Sequence, residues 1–177
     1  MHGSNNFAFI DGANLHITYE YLDWKLDYQK LRNFLRKKLG VVVAYYFIGK
    51  VPEHEDICTT LESYDYNIKL KNPSPYIIEA EYCPYCNKMI TPETSRHKSD
   101  CDSFMTLQIM SDLSIFDKAV LITSDGDFDN LVKRLLQQDK LRMVFAPCKE
   151  GCSWLLISAA RGRIAFIDEY KSELEKI

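Results

Sequence analysis

Residues 7–14 read Phe7-Ala8-Phe9-Ile10-Asp11-Gly12-Ala13-Asn14, and residues 119–128 read Ala119-Val120-Leu121-Ile122-Thr123-Ser124-Asp125-Gly126-Asp127-Phe128. Each is a short apolar run of the length of a buried strand, followed at once by a turn that carries carboxylates. A third acidic cluster ends Lys98-Ser99-Asp100-Cys101-Asp102, at the start of a helical pattern. Carboxylates at the carboxyl ends of parallel strands gather in one crevice of an open α/β sheet. Crowded carboxylates repel unless a cation lies between them, and Mg²⁺ or Mn²⁺ prefer oxygen ligands. Such a cluster suits phosphodiester hydrolysis by activated water.

The rest of the chain keeps the same rhythm. Residues 28–39 place Leu31, Phe34, Leu35 and Leu39 at helical spacing, and Gly40 ends that helix. Residues 41–48 are β-branched and apolar enough for a central strand. A helix is predicted over 53–64 and a strand over 67–70, then helices over 102–113, 128–137 and 152–160 and strands over 141–146 and 164–167. Alternation of this kind predicts an α/β fold with a mostly parallel sheet covered on both faces. The rhythm breaks at 72–99, where Pro73, Pro75, Pro84 and Pro92 fall close together, so this stretch reads as an insertion into one domain spanning 1–177.

At 177 residues and 46% hydrophobic, the chain builds one real core, and its net charge of −3 excludes a generic basic nucleic-acid glue. No run approaches the ~18–20 apolar residues of a membrane span. The opening Met1-His2-Gly3-Ser4-Asn5-Asn6 lacks a signal-peptide pattern, so a cytoplasmic protein without a membrane partner is expected. Homo-oligomerisation stays open.

Taken singly, each acidic residue has an ordinary use. Asp102 or Asp127 before a helix can be a cap, and the Asp-Gly pairs at Asp11 and Asp125 can be turns. Three such events, two directly after buried strands, favour a metal site. Asn14 adds a neutral oxygen. Asp112, Asp117 and Asp129 read as solvated.

The six cysteines read as metal ligands or free thiols before disulfides. Cys83-x2-Cys86-x10-His97-x3-Cys101 is a zinc spacing, so a structural Zn²⁺ is expected in a small ribbon-like element over 72–101. Zinc on Cys101 would also order the backbone of Asp102. Cys148 and Cys152 read as reduced thiols, and Cys58 as a buried apolar residue. Lys98, four residues before Asp102, is the leading candidate for a phosphate contact. Lys50, Lys69, Lys71, Lys133, Arg134, Arg161 and Arg163 are further cations near the motifs or strand ends. Tyr19, Tyr21 and Trp24 either stack bases or pack under a loop.

Phe9-Ile-Asp-Gly-Ala-Asn-Leu15, Lys98-x-x-Cys-Asp102 and Ile122-Thr-Ser-Asp-Gly-Asp-Phe128 together resemble the three motifs of NYN-domain proteins, the LabA-like branch of the PIN-like ribonuclease superfamily. They occur in family order, and the resemblance runs from residue 7 to about 169, with Pro147…Ser153-x-x-Leu156 and the last strand also similar. The resemblance implies a three-layer α/β/α sandwich with a PIN-like sheet and metal-dependent endonuclease activity on RNA. Carried over by position, Asp11, Asp102, Asp125 and Asp127 form the acidic metal-binding set and Asn14 an auxiliary residue. Gln108 stands where family members often have another Asp, and Ser99 and Ser124 where they often have glycines.

The leading expectation is a ribonuclease holding Mg²⁺ or Mn²⁺ and leaving 5′-phosphate and 3′-hydroxyl ends. The alternative is a catalytically weak or inactive RNA- or protein-binding module on the same fold. A haloacid-dehalogenase-type phosphatase, which wants a carboxylate two residues after the first Asp, is disfavoured by Ala13.

Overall fold

The computed structural model describes residues 4–17 and 22–176, the side chains of residues 17 and 96–98 excepted. Ten strands are described: β1 (Asn6–Asp11), β2 (Val41–Gly49), β3 (Asn67–Lys71), β4 (Ser74–Ile78), β5 (Glu81–Tyr82), β6 (Met89–Thr91), β7 (Thr94–Lys98), β8 (Ala119–Ile122), β9 (Leu141–Ala146) and β10 (Ile164–Phe166). The helices are α1 (Gly12–Ile17), α2 (Tyr28–Leu39), α3 (Glu55–Ser63), α4 (Cys101–Ser111), α5 (Asp129–Gln137), α6 (Trp154–Ala160) and α7 (Lys171–Leu174). No helix among the described residues is long and apolar enough to cross a membrane.

Six strands form one sheet in the order β10-β9-β8-β1-β2-β3, every neighbouring pair parallel. The chain therefore walks outward from β1 through β2 to β3, then restarts on the other side of β1 with β8. The order reverses between β1 and β8, which makes their carboxyl ends the topological switch point where open α/β sheets leave a crevice.

Alternation along β1 supplies both faces of the core. Ala8 and Ile10 pack with Leu31 and Leu35 of α2, Leu61 of α3 and Leu174 of α7. Phe7 and Phe9 pack on the other face with Met105 and Ile109 of α4, Leu131 and Leu135 of α5, and Leu156 of α6. Successive strand residues point to opposite faces, so the four apolar residues of this wholly buried strand, Phe7 to Ile10, can seat helices on both sides of the sheet. The result is an α/β fold with a parallel central sheet flanked by helices.

Helix α2 has the predicted bounds. Asp27 caps its start by accepting from the Lys30 N–H at 3.0 Å, and Gly40 ends it with φ +65°. Arg32, inside this helix, is 2% exposed. Its guanidinium donates to the backbone oxygens of Asp65, Val41 and Val42 and to the Asp65 carboxylate at 2.9 Å. Burial lowers its pKa below the ordinary value, with the neighbouring Arg36 acting in the same direction and Asp65 opposing.

Between β3 and α4 the chain leaves the sheet. Strands β4 and β7 form an antiparallel ladder of five pairs, from Ser74↔Lys98 to Ile78↔Thr94, and β5 pairs with β6 beyond it. Cys83 and Cys86 sit in the turn joining β5 to β6.

Candidate active site

Asp11 is the last residue of β1 and is 5% exposed. The chain turns at once into α1, and a side chain at Gly12 would run into the Tyr46 ring and the Phe47 carbonyl oxygen, 2.6 Å from a Cβ placed there. Only glycine lets the turn lie this close to β2. One Asp11 oxygen accepts the Asn14 N–H at 3.1 Å, and the other faces the fully buried Thr123 hydroxyl at 3.3 Å.

Thr123 follows β8, whose Ile122 is in register with Ile10. Thr123 Oγ1 also accepts the Asp125 N–H at 3.2 Å, and Asp125 in turn accepts the Asp127 N–H at 3.0 Å. Asn14 closes the arrangement from the β1 side. Its Oδ1 accepts both the Ser124 N–H at 2.9 Å and the Ser124 hydroxyl at 2.8 Å. Two side-chain bridges, Asp11–Thr123 and Asn14–Ser124, thus tie together the loops that leave β1 and β8.

Burial pushes the Asp11 carboxyl up from 3.8 to about 6. The Asn14 N–H and the Thr123 hydroxyl pull it down, while the charges of Asp102 and Asp125 push it up. Asp102 lies in the first turn of α4. The Asp11 carboxyl therefore feels the charges of Asp102 and of Asp125. Asp127 is exposed and contributes its N–H to the Asp125 turn. Among the described residues, no three His, Cys, Asp or Glu side chains stand together as a group that could hold a metal ion.

Cys101 is 5% exposed and packs in the core beneath this crevice. Its thiol is pushed up to about 11 by burial, then by Asp11, Asp102 and Asp100, with Lys71 opposing. Lys71 is thus a cation whose charge reaches Cys101. Among the described residues, Cys101 does not stand with Cys83 and Cys86 in a group that could hold a metal ion. The β4–β7 ladder, about 14 Å long at ~3.4 Å per residue, separates the Cys83–Cys86 turn from α4. Cys83 itself has a lowered pKa because the N–H groups of Tyr85 and Cys86 point at its sulfur, followed by the Cys86 side chain. That arrangement suits a metal-binding knuckle. The side chains of His97 and Lys98 lie outside the described residues, as do Tyr19 and Tyr21.

Trp24 is 6% exposed and belongs to the core, so it packs and does not stack bases. Asp112 also departs from expectation: it is buried and accepts the Gln108 side-chain N–H at 2.8 Å. Gln108 is thereby engaged at the far end of α4 from Asp102. Asp129 pairs with Lys133, and Asp117 accepts the Asn5 N–H. Cys152 stays a thiol, pushed up to about 11 by burial and by neighbouring Cys148.

The family model of the NYN domain matches residues 7–168. Among solved structures, a protein of unknown function, VPA0982 from Vibrio parahaemolyticus RIMD 2210633, has the same fold, with a TM-score of 0.70 and 20% identity over 98% of each chain. No curated protein matches the chain.

Proposed function

The chain belongs to the NYN domain family, whose members fall in the PIN-like nuclease superfamily, and on that premise we propose that it is a metal-dependent endoribonuclease. One observation carries the reading. A carboxylate, Asp11, ends the strand at the sheet's switch point, where burial first, and then the charges of Asp102 and Asp125, make its own charge costly. Structural caps need no such crowding. A divalent cation between these groups removes the penalty.

The donors fit Mg²⁺ or Mn²⁺, since the set is oxygen only. Mg²⁺ is commonly held by one or two carboxylates and keeps several of its waters, so a site of this kind does not need three carboxylates in direct contact with the ion. Asp11 would bind the ion directly, with Asp102 and Asp125 holding its waters and Asp127 at the rim. When bound, the ion supplies charge stabilisation at the phosphate and a more acidic water.

The chain's own groups do the rest. Asn14 holds Ser124, and through the β8 loop it keeps Asp125 turned toward Asp11. Asp102 and Asp125 orient the attacking water and accept its proton. The water oxygen bonds to phosphorus, the bond to the 3′ oxygen breaks, and that oxygen takes up a proton, leaving 5′-phosphate and 3′-hydroxyl ends. Lys71, whose charge reaches Cys101, and Lys98, on the strand entering α4, would contact the phosphates. Cys83 and Cys86 would hold a structural Zn²⁺ at the tip of the insert, with ligands other than Cys101.

Incubating a panel of end-labelled single-stranded RNAs with Mn²⁺, with and without EDTA, tests this. Cleavage that EDTA abolishes is expected. Gln108, bonded to Asp112 where family members often have a further Asp, favours one second reading, an RNA- or protein-binding module. RNA binding without cleavage on any member of the panel would replace the first reading with that one.

A further inference from the structure

We propose that Trp154 is a stacking platform for an unpaired base of the RNA, continued by a cationic groove between α5 and α6 that takes the strand's phosphates. This rests on the ribonuclease reading for the class of ligand, and it adds which bases the protein meets first and which way the strand leaves.

Trp154 is 71% exposed, an unusual position for an indole. Its place is fixed by the candidate active site. Ser153, just before it, donates its N–H to the Ser124 carbonyl at 3.0 Å. A Cβ placed on Gly126 would stand 2.5 Å from the Ser153 hydroxyl and 3.6 Å from Leu155 Cδ1. The start of α6 is therefore clamped to the Ser124–Asp127 loop, so the backbone that carries the exposed Trp154 is fixed next to the loop of Asp125 and Asp127.

The exposed residues of α6 continue from there. Trp154 and Ser158 are exposed at positions i and i+4 of one helix face, and Arg161, in the left-handed conformation that ends the helix, is exposed just beyond them. Ser158 and Arg161 then line an open groove of about 550 Å³ with Lys133, Gln137 and Arg163. Lys133 is paired with Asp129 at 2.5 Å, and Arg163 reaches Asp139 at 3.7 Å, so both are partly neutralised surface cations. The helix spans about 10 Å at 1.5 Å per residue. An aromatic beside the reaction centre that leads into a cationic groove is how single-stranded nucleic acid is held without sequence readout. Bases inside a duplex are not available to such a platform. A chain with net charge −3 has no general attraction for RNA, so a local track of this kind is what binding requires.

The chain has two tryptophans, and the other, Trp24, is buried. Intrinsic fluorescence therefore reports on Trp154. The probe is a 12-mer of uridine added to full-length protein in EDTA, so that binding is read without cleavage. Quenching of the tryptophan emission is expected for the single strand and not for a 12-base-pair RNA duplex. By anisotropy of a labelled 12-mer, Trp154→Ala weakens binding about 5- to 150-fold, the range found for loss of one stacked base, and Trp154→Phe restores most of it. Arg161→Ala lowers the slope of log affinity against log salt by about 0.7. Equal affinities of wild type and Trp154→Ala, with unchanged melting temperatures, overturn the proposal. So does a fall in apparent mass of Trp154→Ala on gel filtration with RNA affinity intact, which assigns the indole to self-association. Trp154-dependent binding without cleavage in Mn²⁺ keeps the platform and removes the nuclease reading. Cleavage with an unchanged KM in Trp154→Ala does the reverse.

Discussion

Replacing Asp11 by Asn isolates the electrostatic strain that the site stores without its cation. Burial, and then the charges of Asp102 and Asp125, raise Asp11 from 3.8 to about 6. Between these values the folded protein binds a proton that the unfolded chain does not, so Asp11 supports the fold at low pH and loses that support as pH rises through the interval. At about 1.4 kcal/mol per pH unit, the charged carboxylate costs about 3 kcal/mol at pH 7 and about 0.6 kcal/mol at pH 4. Asn keeps an acceptor for the Asn14 N–H and carries no charge. The assay is a pair of melting curves in EDTA, wild type against Asp11→Asn, at both pH values. With roughly 2–4 °C per kcal/mol for a chain of this size, the variant melts up to about 6–12 °C higher at pH 7 and within about 2 °C of wild type at pH 4. Titrating groups that do not interact with Asp11 cancel in the comparison. A variant equally or less stable than wild type by the same margin at both pH values would refute the reasoning, because Asp11 would then be an unstrained turn residue.

Three further outcomes follow from particular contacts. Arg32→Ala leaves the backbone carbonyls of Val41, Val42 and Asp65 without the guanidinium donors, and destabilises by roughly 1–3 kcal/mol in a denaturant titration. Asn14→Ala unties Ser124 from β1, lowering kcat about 10- to 100-fold in an RNA cleavage assay with a loss of only ~1–2 kcal/mol of stability. Cys83→Ser removes zinc, measured by elemental analysis of protein expressed in zinc-replete medium, without changing the melting temperature of the sheet domain. No zinc in the wild type would leave Cys83 and Cys86 as free thiols.

Much of this arrangement is legible in the sequence because it is local. Leu31, Phe34, Leu35 and Leu39 are spaced for a helix and Gly40 stops it, and α2 ends there. Asp11 and Asp125 follow apolar runs that are indeed β1 and β8. What the sequence hides is set by distant partners. The β1–β8 neighbourhood that creates the switch point joins residues more than a hundred positions apart, such as Ile10 and Ile122. Arg32 reads as a surface charge until the Asp65 turn, 33 residues on, folds over it. Asp112 is buried by its bond to Gln108 and the packing of α4. The ligand spacing of Cys83, Cys86, His97 and Cys101 suggests one tetrahedral site, yet spacing does not reveal that a five-pair ladder intervenes before Cys101. Nor does it reveal that Trp24 turns inward while Trp154 is left outside beside the Asp125 loop.

The central claim is that the crevice beside Asp11 cuts RNA through a divalent ion. The most direct measurement is the rate at which wild type and Asp11→Asn cleave one single-stranded RNA in Mn²⁺, with the variant's fold verified by its melting curve. The expected result is cleavage by wild type and a loss of at least about 1,000-fold in the variant, since Asn caps a turn about as well as Asp but holds a divalent cation far more weakly. Wild-type cleavage retained by Asp11→Asn would contradict the account and return Asp11 to the role of a turn residue.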